Sequence, residues 1–208
     1  MFVLYFTLLA SLFSVVNPIG AMPIFLSMTA QDSAEERNRI ARNASVYLCI
    51  ILIVSFIIGT YILTFFGISI DALRIAGGII IMLSGFDLLR GNHARGRNID
   101  KKVKTEAVKK DDISLTPLAI PLLAGPGSIS LLIGMFKDFL DFEHYIIVHL
   151  VIITTGILTF IILRFSTKLV SKLGEAGMSS LSRIIGFIVM TVGVQFIING
   201  VSSIVRGF

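Results

Sequence analysis

The stretch VVNPIGAMPIF, residues 15–25, places two prolines, a glycine and an asparagine inside a run that carries no charge from Met1 to Gln31. Proline removes a backbone donor and kinks or breaks a helix. In hydrocarbon no water replaces the hydrogen bond that is lost, so irregular backbone is tolerated only where protein buries it or water reaches it. The stretch therefore indicates that the backbone at this point of the apolar segment is buried by protein or reached by water.

The composition is that of an integral membrane protein. Of the 208 residues, 55% are hydrophobic and only 15% are charged, whereas ordinary soluble domains are about a quarter charged. The sequence pI of about 9.6 is attributed to loop charges that orient the chain in the bilayer, and no nucleic-acid partner is expected. The single cysteine, Cys49, lies in an apolar run and is expected to be a small buried hydrophobe.

The hydropathy pattern predicts an all-α membrane protein with six transmembrane helices, forming one domain over residues 1–208. A span needs about 20 apolar residues. The candidate spans lie near 2–28, 44–66, 72–90, 115–136, 145–163 and 183–205. The connections between them are 29–43, 67–71, 91–114, 137–144 and 164–182.

The distribution of basic residues predicts the orientation. Fifteen of the 18 Lys and Arg residues fall in or beside the first, third and fifth connections. Because basic residues are retained on the cytoplasmic side, both termini are predicted to face the periplasm or exterior. The connection 91–114 is then a cytoplasmic linker, either a solvated determinant of topology or a segment that binds anionic lipid headgroups.

The chain contains an internal repeat. The segments RIAGGIIIMLSGFDLLRG, from Arg74, and RIIGFIVMTVGVQFIING, from Arg183, match at five positions without gaps. All five prolines of the chain lie in or beside the first and fourth spans. Each half, about 1–90 and 115–208, holds three spans, and an odd number inverts the second half. We therefore predict two inverted three-helix repeats whose first and fourth helices are broken by Pro and Gly.

The register of the repeat in the first and fourth spans stays open. In one alignment Asn17-Pro18 corresponds to Gly125-Pro126. In the other, Pro18 and Pro23 correspond to Pro121 and Pro126, since both pairs are five residues apart.

Corresponding interrupted spans in two inverted halves are typical of a transport site. The segments NPIGAMP and PLLAGPGSIS are predicted to face each other near the midplane and to line a polar cavity. The alternative is a pair of kinked helices packed for shape. The candidate substrate-binding residues are Asn17, Pro18, Gly20, Pro23, Pro121, Gly125, Pro126, Gly127, Ser128, Ser130 and Gln195.

Ionisable residues within spans are costly and are functional hypotheses by default. Asp87 is a candidate for carrying a coupling proton or cation. The alternative is a charge near the inner interface, paired with Arg90 at i+3. Arg74 and Arg183 are expected to snorkel or to cap helix ends.

The histidines do not indicate an enzyme. His93, His144 and His149 are scattered and form no ligand motif, and no nucleophile and base pair is recognisable at membrane depth. We therefore expect no metal, no cofactor and no catalytic activity.

Three motifs together resemble the MarC family of bacterial inner-membrane proteins. They are VVNPIGAMPIFLSMT, the charged segment EERNRIA, and IPLLAGPGSIS at the fourth span. The resemblance covers essentially the whole chain, and a wider similarity connects this family to LysE-type exporters. It implies six helices, an inner-membrane location and a role in exporting small molecules.

The leading hypothesis is a secondary transporter that exports small polar molecules by alternating access around the broken first and fourth helices. No Gly-x-x-x-x-Gly-Lys-Ser/Thr pattern is present, so ATP drive would require another subunit. The alternative is a non-transporting protein that acts in regulation or assembly through its basic cytoplasmic loop. The expected partners are the lipid bilayer and an unidentified small molecule, and a homo-oligomer stays open.

Overall fold

The computed structural model describes residues 2–90, 113–136 and 142–206, and every regular element within these ranges is helical. Seven α-helices and one segment of wide π-type turns follow one another along the chain. They are α1 (Phe2–Val16), α2 (Pro18–Met28), α3 (Ala34–Phe65), α4 (Ile70–Leu89), the π segment (Ser114–Leu123), α5 (Pro126–Phe136), α6 (Phe142–Arg164) and α7 (Ser166–Arg206). Almost all of the predicted cytoplasmic linker lies outside the described residues.

Five helical stretches within the described ranges are long and apolar enough to cross a membrane. They are Phe2–Met28, Ala34–Phe65, Ile70–Leu89, His144–Arg164 and Ala176–Arg206. The predicted fourth span, 115–136, is not among them because it is divided between the π segment and α5, of 10 and 11 residues. The chain is therefore an integral multi-pass membrane protein, and the sixth crossing stays a prediction.

Two predicted connections are largely helical. α3 already begins at Ala34, where the Ser33 hydroxyl accepts a hydrogen bond from the Glu36 amide at 3.1 Å. Serine at the N-cap followed by glutamate at the third helical position is a common helix start. α7 begins at Ser166 and changes direction at Gly174, whose φ of 64° and ψ of 179° are not helical. Charged helical turns at a membrane surface resemble loops in a hydropathy profile, which is why these boundaries were predicted too late.

α4 and α7 run antiparallel with their backbones in close contact. A β-carbon added to Gly78 would lie 2.7 Å from the carbonyl oxygen of Gly193, and one added to Gly85 would lie 2.6 Å from that of Gly186. Small residues at such positions let membrane helices approach closely enough for backbone contact. We call this contact the glycine seam (Gly78, Gly85, Gly186 and Gly193).

α3 and α6 form the second antiparallel pair. A β-carbon added to Gly156 would lie 2.1 Å from Cys49 Sγ, and the Cys49 thiol faces the carbonyl oxygen of Ile152 at 3.7 Å. Further along, the rings of Phe56 and His149 are 5.7 Å apart. α1 packs beside α6, where the Tyr5 hydroxyl and the Thr154 hydroxyl are 2.7 Å apart. The buried core fills the space between these helices and the short elements α2, α5 and the π segment.

Candidate functional site

The first apolar segment changes direction at Asn17, between α1 and α2. Asn17 has φ 48° and ψ 63° and is the only non-glycine residue with positive φ in the described part of the chain. Asparagine tolerates this left-handed conformation better than most residues. Its Oδ1 accepts a hydrogen bond from the Gly20 amide at 2.9 Å, so the same side chain caps α2. Pro18 occupies the first turn of α2, where a missing amide hydrogen is least costly.

Gly20 is required by the conformation of Asn17. A β-carbon at position 20 would lie 2.5 Å from Asn17 Nδ2. Pro23 lies one turn further along inside α2 and is half-buried. This side of the site is therefore a short helix whose first turn is closed by one buried asparagine.

The π segment owes its irregular backbone to its prolines. Thr116 has φ −130° and ψ 119°, and Ile120 has φ −122° and ψ 125°. Each residue directly precedes a proline, Pro117 or Pro121, and proline disfavours helical angles in the residue before it. The turns around them are wide, with hydrogen bonds from the Leu118 amide to the Ile113 carbonyl and from Ala124 to Ala119.

α5 begins directly after this segment, at Pro126. The Gly125 carbonyl accepts hydrogen bonds from the Ser128 hydroxyl at 2.9 Å and from the Ile129 amide at 3.2 Å. The first turn of α5 therefore combines a proline, a glycine and a serine side chain that bonds to the backbone.

The ends of the two irregular regions meet. A β-carbon added to Gly127 would lie 3.4 Å from Val15 Cγ1, near the end of α1, and 2.9 Å from Ile81 Cγ1 of α4. Ile81 lies near the middle of α4, so this contact is at mid-depth of a membrane-spanning helix. We call this place the central junction (Val15, Asn17, Ile81 and Gly127).

Most of the predicted site residues lie in the elements that form the central junction. Asn17, Pro18 and Gly20 are buried on one side, and Gly127, Ser128 and Ser130 are buried on the other. Gly125 is half-buried, Pro126 is exposed and Pro121 lies within the π segment. The Ser130 β-carbon packs against α4, 2.4 Å from where a β-carbon on Gly77 would lie.

Gln195 does not belong to this group. It is exposed on α7, and its Nε2 donates to Oδ1 of Asn199 at 2.8 Å. A sequence comparison between repeats places a residue along a helix but does not determine which face it occupies.

The expected ion pair between Asp87 and Arg90 does not form. The Arg90 guanidinium instead lies over the Phe86 ring, 4.2 Å from its centroid, in cation–π geometry. Arg90 directly follows the last residue of α4 as its C-cap, where its side chain can turn back onto the ring. The ion pairs in the described ranges are Glu36–Arg39 and Asp71–Arg74. Asp87 is half-buried, and its coupling role stays a prediction.

Arg74 is the buried cationic side chain of the site region, at 5% exposure. Its Nε and Nη2 donate to the Gly134 carbonyl at 3.0 and 2.7 Å, and Asp71 lies 3.4 Å from its Nη1. Since the last carbonyls of a helix lack partners within the helix, Arg74 caps the end of α5. The sequence predicted that Arg74 would either snorkel or cap a helix end. Asp71, three residues earlier, was the sequence signal that favoured capping.

Arg37 holds the end of α2 in a comparable way, which the sequence reasoning missed. Its Nη2 donates to the Thr29 carbonyl at 2.9 Å, and its Nη1 donates to the Thr167 hydroxyl at 3.2 Å. The two short helices α2 and α5 are thus each held near their C-terminal end by an arginine from another helix.

Comparison with known proteins gives the family. The model of the MarC family integral membrane proteins matches residues 2–205. The chain belongs to the MarC family. Relatives align over nearly the full length: the UPF0056 membrane protein YhcE of Escherichia coli is 34% identical over 99% of this chain and 95% of its own.

Two other relatives agree with this assignment. The UPF0056 membrane protein MJ1677 of Methanocaldococcus jannaschii is 37% identical over 95% of this chain and 96% of its own. The UPF0056 inner membrane protein MarC of Citrobacter koseri is 33% identical over 96% and 95%. No solved structure matches the MarC-family chain.

Proposed function

We propose that this MarC-family protein is a secondary transporter that exports small polar molecules across the inner membrane. The observation that carries the proposal is the central junction. An interrupted apolar segment and the start of a second short helix meet there at mid-depth. Irregular backbone at membrane depth is typical of substrate sites in transporters.

Two inverted three-helix repeats are part of the proposal. α4 packs antiparallel to α7, and α3 packs antiparallel to α6. In the predicted repeat these are the third and sixth spans and the second and fifth spans. Antiparallel packing of both corresponding pairs supports an inverted relation between the halves, because an odd number of crossings reverses the second half.

The mechanism we propose is movement of the short helices against a fixed frame. The glycine seam joins α4 and α7 by backbone contact, which leaves little freedom to slide. α2 and α5 are short and begin at Pro18 and Pro126, directly after the left-handed Asn17 and shortly after the irregular π segment. Rocking of these two elements would open the central junction to one side and then to the other, which is alternating access.

The chemistry of the side chains next to the central junction favours polar substrates. The buried hydrogen-bonding side chains next to the junction, Asn17, Ser128 and Ser130, are all neutral. Short helices also present backbone amides at one end and carbonyls at the other, and these attract anionic and cationic groups respectively. The proposal includes no cofactor and no catalytic step. It places both termini on the outer side of the membrane, following the distribution of basic residues.

The test is a comparison of extracellular metabolites from cells that overproduce the native protein or an Asn17→Gly, Ser128→Ala variant. Glycine keeps the left-handed backbone available at position 17 while the polar side chains are removed. We expect a small set of molecules to accumulate outside only with the native protein.

The matched control is Gln195→Ala, which removes a polar side chain exposed on α7 and should leave accumulation unchanged. All variants are compared at equal membrane abundance. Identical metabolite profiles for the native protein and the double variant, over several growth conditions, would contradict export through the central junction.

A further inference from the structure

Two rows of exposed apolar side chains run along α3 and α6, and each row ends in an arginine. On α3 the row includes Val46 and Ile50, both 51% exposed, and ends at Arg42. On α6 it includes Ile153, 46% exposed, and ends at Arg164. Neither arginine belongs to the central junction.

The two arginines lie at the same level. Cys49 of α3 contacts Gly156 of α6, and seven residues further along α3, Phe56 contacts His149, seven residues back along α6. Seven residues before Cys49, towards the start of α3, the same antiparallel register reaches Arg42. The same step leads from Gly156 to Leu163, the neighbour of Arg164.

The two rows also lie on the same side of the α3–α6 contact. Val46 precedes Cys49 by three residues, and Ile153 precedes Gly156 by three. Each row is therefore turned by about 60° in the same sense from its contact residue, since a helix turns about 100° per residue. Because the helices are antiparallel, the same sense of rotation brings both rows to one side and forms a shallow apolar groove.

The basic end of this groove extends into α7. The amide of Phe165 bonds to the Ile161 carbonyl, and that of Leu169 bonds to Phe165, so helical bonding continues across the junction of α6 and α7. Lys168 thus follows Arg164 by one turn, and both are exposed. The Arg164 guanidinium carbon also lies 5.8 Å from the Phe160 and Phe165 rings.

Few acidic residues oppose this charge. The acids on the same stretch of α3 are Glu35, which is exposed two turns beyond Arg42, and Glu36, which pairs with Arg39. Arg42, Arg164 and Lys168 therefore present a net positive charge at the end of the groove.

The length of the groove matches one membrane thickness. From Arg42 to Tyr61 of α3 the rise is about 28 Å, close to the roughly 30 Å of a hydrocarbon core. Tyr61 and Phe65 are 72% and 85% exposed, which is typical of aromatic residues at a membrane interface. The arginines thus lie at the opposite boundary, at the depth of lipid phosphates.

We propose that this groove binds an anionic phospholipid. Arg42 and Arg164 hold the phosphate, Lys168 contacts the remainder of the headgroup, and an acyl chain lies along the rows of Val46 and Ile153. Arginine suits this role because its planar fork donates two parallel hydrogen bonds to phosphate oxygens. The site is independent of transport through the central junction.

The test is native mass spectrometry of the purified full-length protein in detergent, titrated separately with phosphatidylglycerol, phosphatidylcholine and soluble glycerol phosphate. We expect phosphatidylglycerol to bind more tightly than phosphatidylcholine, and glycerol phosphate, which lacks acyl chains, to bind weakly. In an Arg42→Gln, Arg164→Gln variant, phosphatidylglycerol binding should be weaker by about five-fold for each of the two substitutions. Arg42→Lys, Arg164→Lys should restore part of that affinity.

The matched control is Arg90→Gln, Arg183→Gln. Both residues are exposed and lie on the same predicted side of the membrane as Arg42 and Arg164. They belong to α4 and α7, however, and not to the groove. An equal loss of phosphatidylglycerol binding in this control, or none in the Arg42 and Arg164 variant, would overturn the site. A lipid-free dimer that separates only in the Arg42 and Arg164 variant would also overturn it, because a second copy would then occupy the groove.

Discussion

Asn17 combines two roles, a left-handed backbone and a side-chain cap on α2, and two substitutions separate them. Asn17→Ala loses both roles and should lower the free energy of unfolding by about 2 kcal/mol, since alanine is penalised in left-handed backbone and provides no cap. Asn17→Gly should lower it by less than about 1 kcal/mol, because glycine adopts positive φ freely and is an acceptable N-cap.

Denaturant unfolding in detergent micelles measures both values. Ser84→Ala, which removes a hydroxyl bonded only to the Ile80 carbonyl within the same helix, should stay within about 0.5 kcal/mol of the native protein. Equal losses for the alanine and glycine variants would show that backbone conformation at position 17 does not matter.

At this scale the sequence predicted residue types better than their partners. Asn17, Ser128 and Ser130 were predicted as site residues, and all three are buried in the region of the central junction. That they bind a substrate stays a prediction. The Asp87–Arg90 pair was wrong because i+3 spacing shows only that two side chains can meet. It says nothing of a competing ring such as Phe86. Arg74 was expected to cap, but its acceptor, Gly134, is remote in sequence and could not be named.

At the scale of elements, apolar segments were predictable and their ends were not. Long runs without charge identify the cores of α1, α3, α4, α6 and α7 directly. α3 and α7 extend into polar sequence, where only a cap such as Ser33 marks the start. The irregular geometry of the π segment follows from residues that precede prolines. Its i→i−5 turns depend on packing that a single sequence does not show.

The glycine seam gives a prediction for α4 and α7. A β-carbon at Gly193 would lie 2.5 Å from the Met82 amide nitrogen and 2.6 Å from the Gly78 carbonyl oxygen, both backbone atoms. Gly193→Ala should therefore force the helices apart and lower the free energy of unfolding by about 1–3 kcal/mol. In a helix with no close neighbour at this position, the same change would raise the free energy of unfolding by about 1 kcal/mol. The sign of the measured effect therefore shows whether α4 and α7 are in backbone contact.

Reversible unfolding in micelles gives this sign. Val194→Ala, at the exposed neighbouring position, is the control and should change stability by less than about 0.5 kcal/mol. A stabilised Gly193→Ala variant would mean that the helices can separate at no cost.

At the scale of the molecule, the number of membrane crossings determines whether the two termini lie on the same side of the membrane. Val3 and Val205 are 82% and 67% exposed near the two ends. The predicted six crossings would place both ends on the same side, and the distribution of basic residues predicts that this side is the outer one. In a Cys49→Ala background, an impermeant thiol reagent added to intact cells should label both Val3→Cys and Val205→Cys, each made as a single variant. Lys168→Cys should react only after the cells are permeabilised.

Labelling of one terminus but not the other would mean an odd number of crossings and would exclude the inverted repeat. Labelling of neither terminus in intact cells would reverse the predicted orientation while leaving an even count.

The glycine seam also has a consequence for biosynthesis. α4 and its partner α7 are separated along the chain by the π segment, α5 and α6, so α7 is made well after α4. Until α7 enters the bilayer, the narrow face of α4 at Gly78 and Gly85 has only lipid or a temporary neighbour against it. The protein must therefore acquire this backbone contact late, after α5 and α6 have been made, which makes the arrival of α7 the step that commits the nascent chain to its final form.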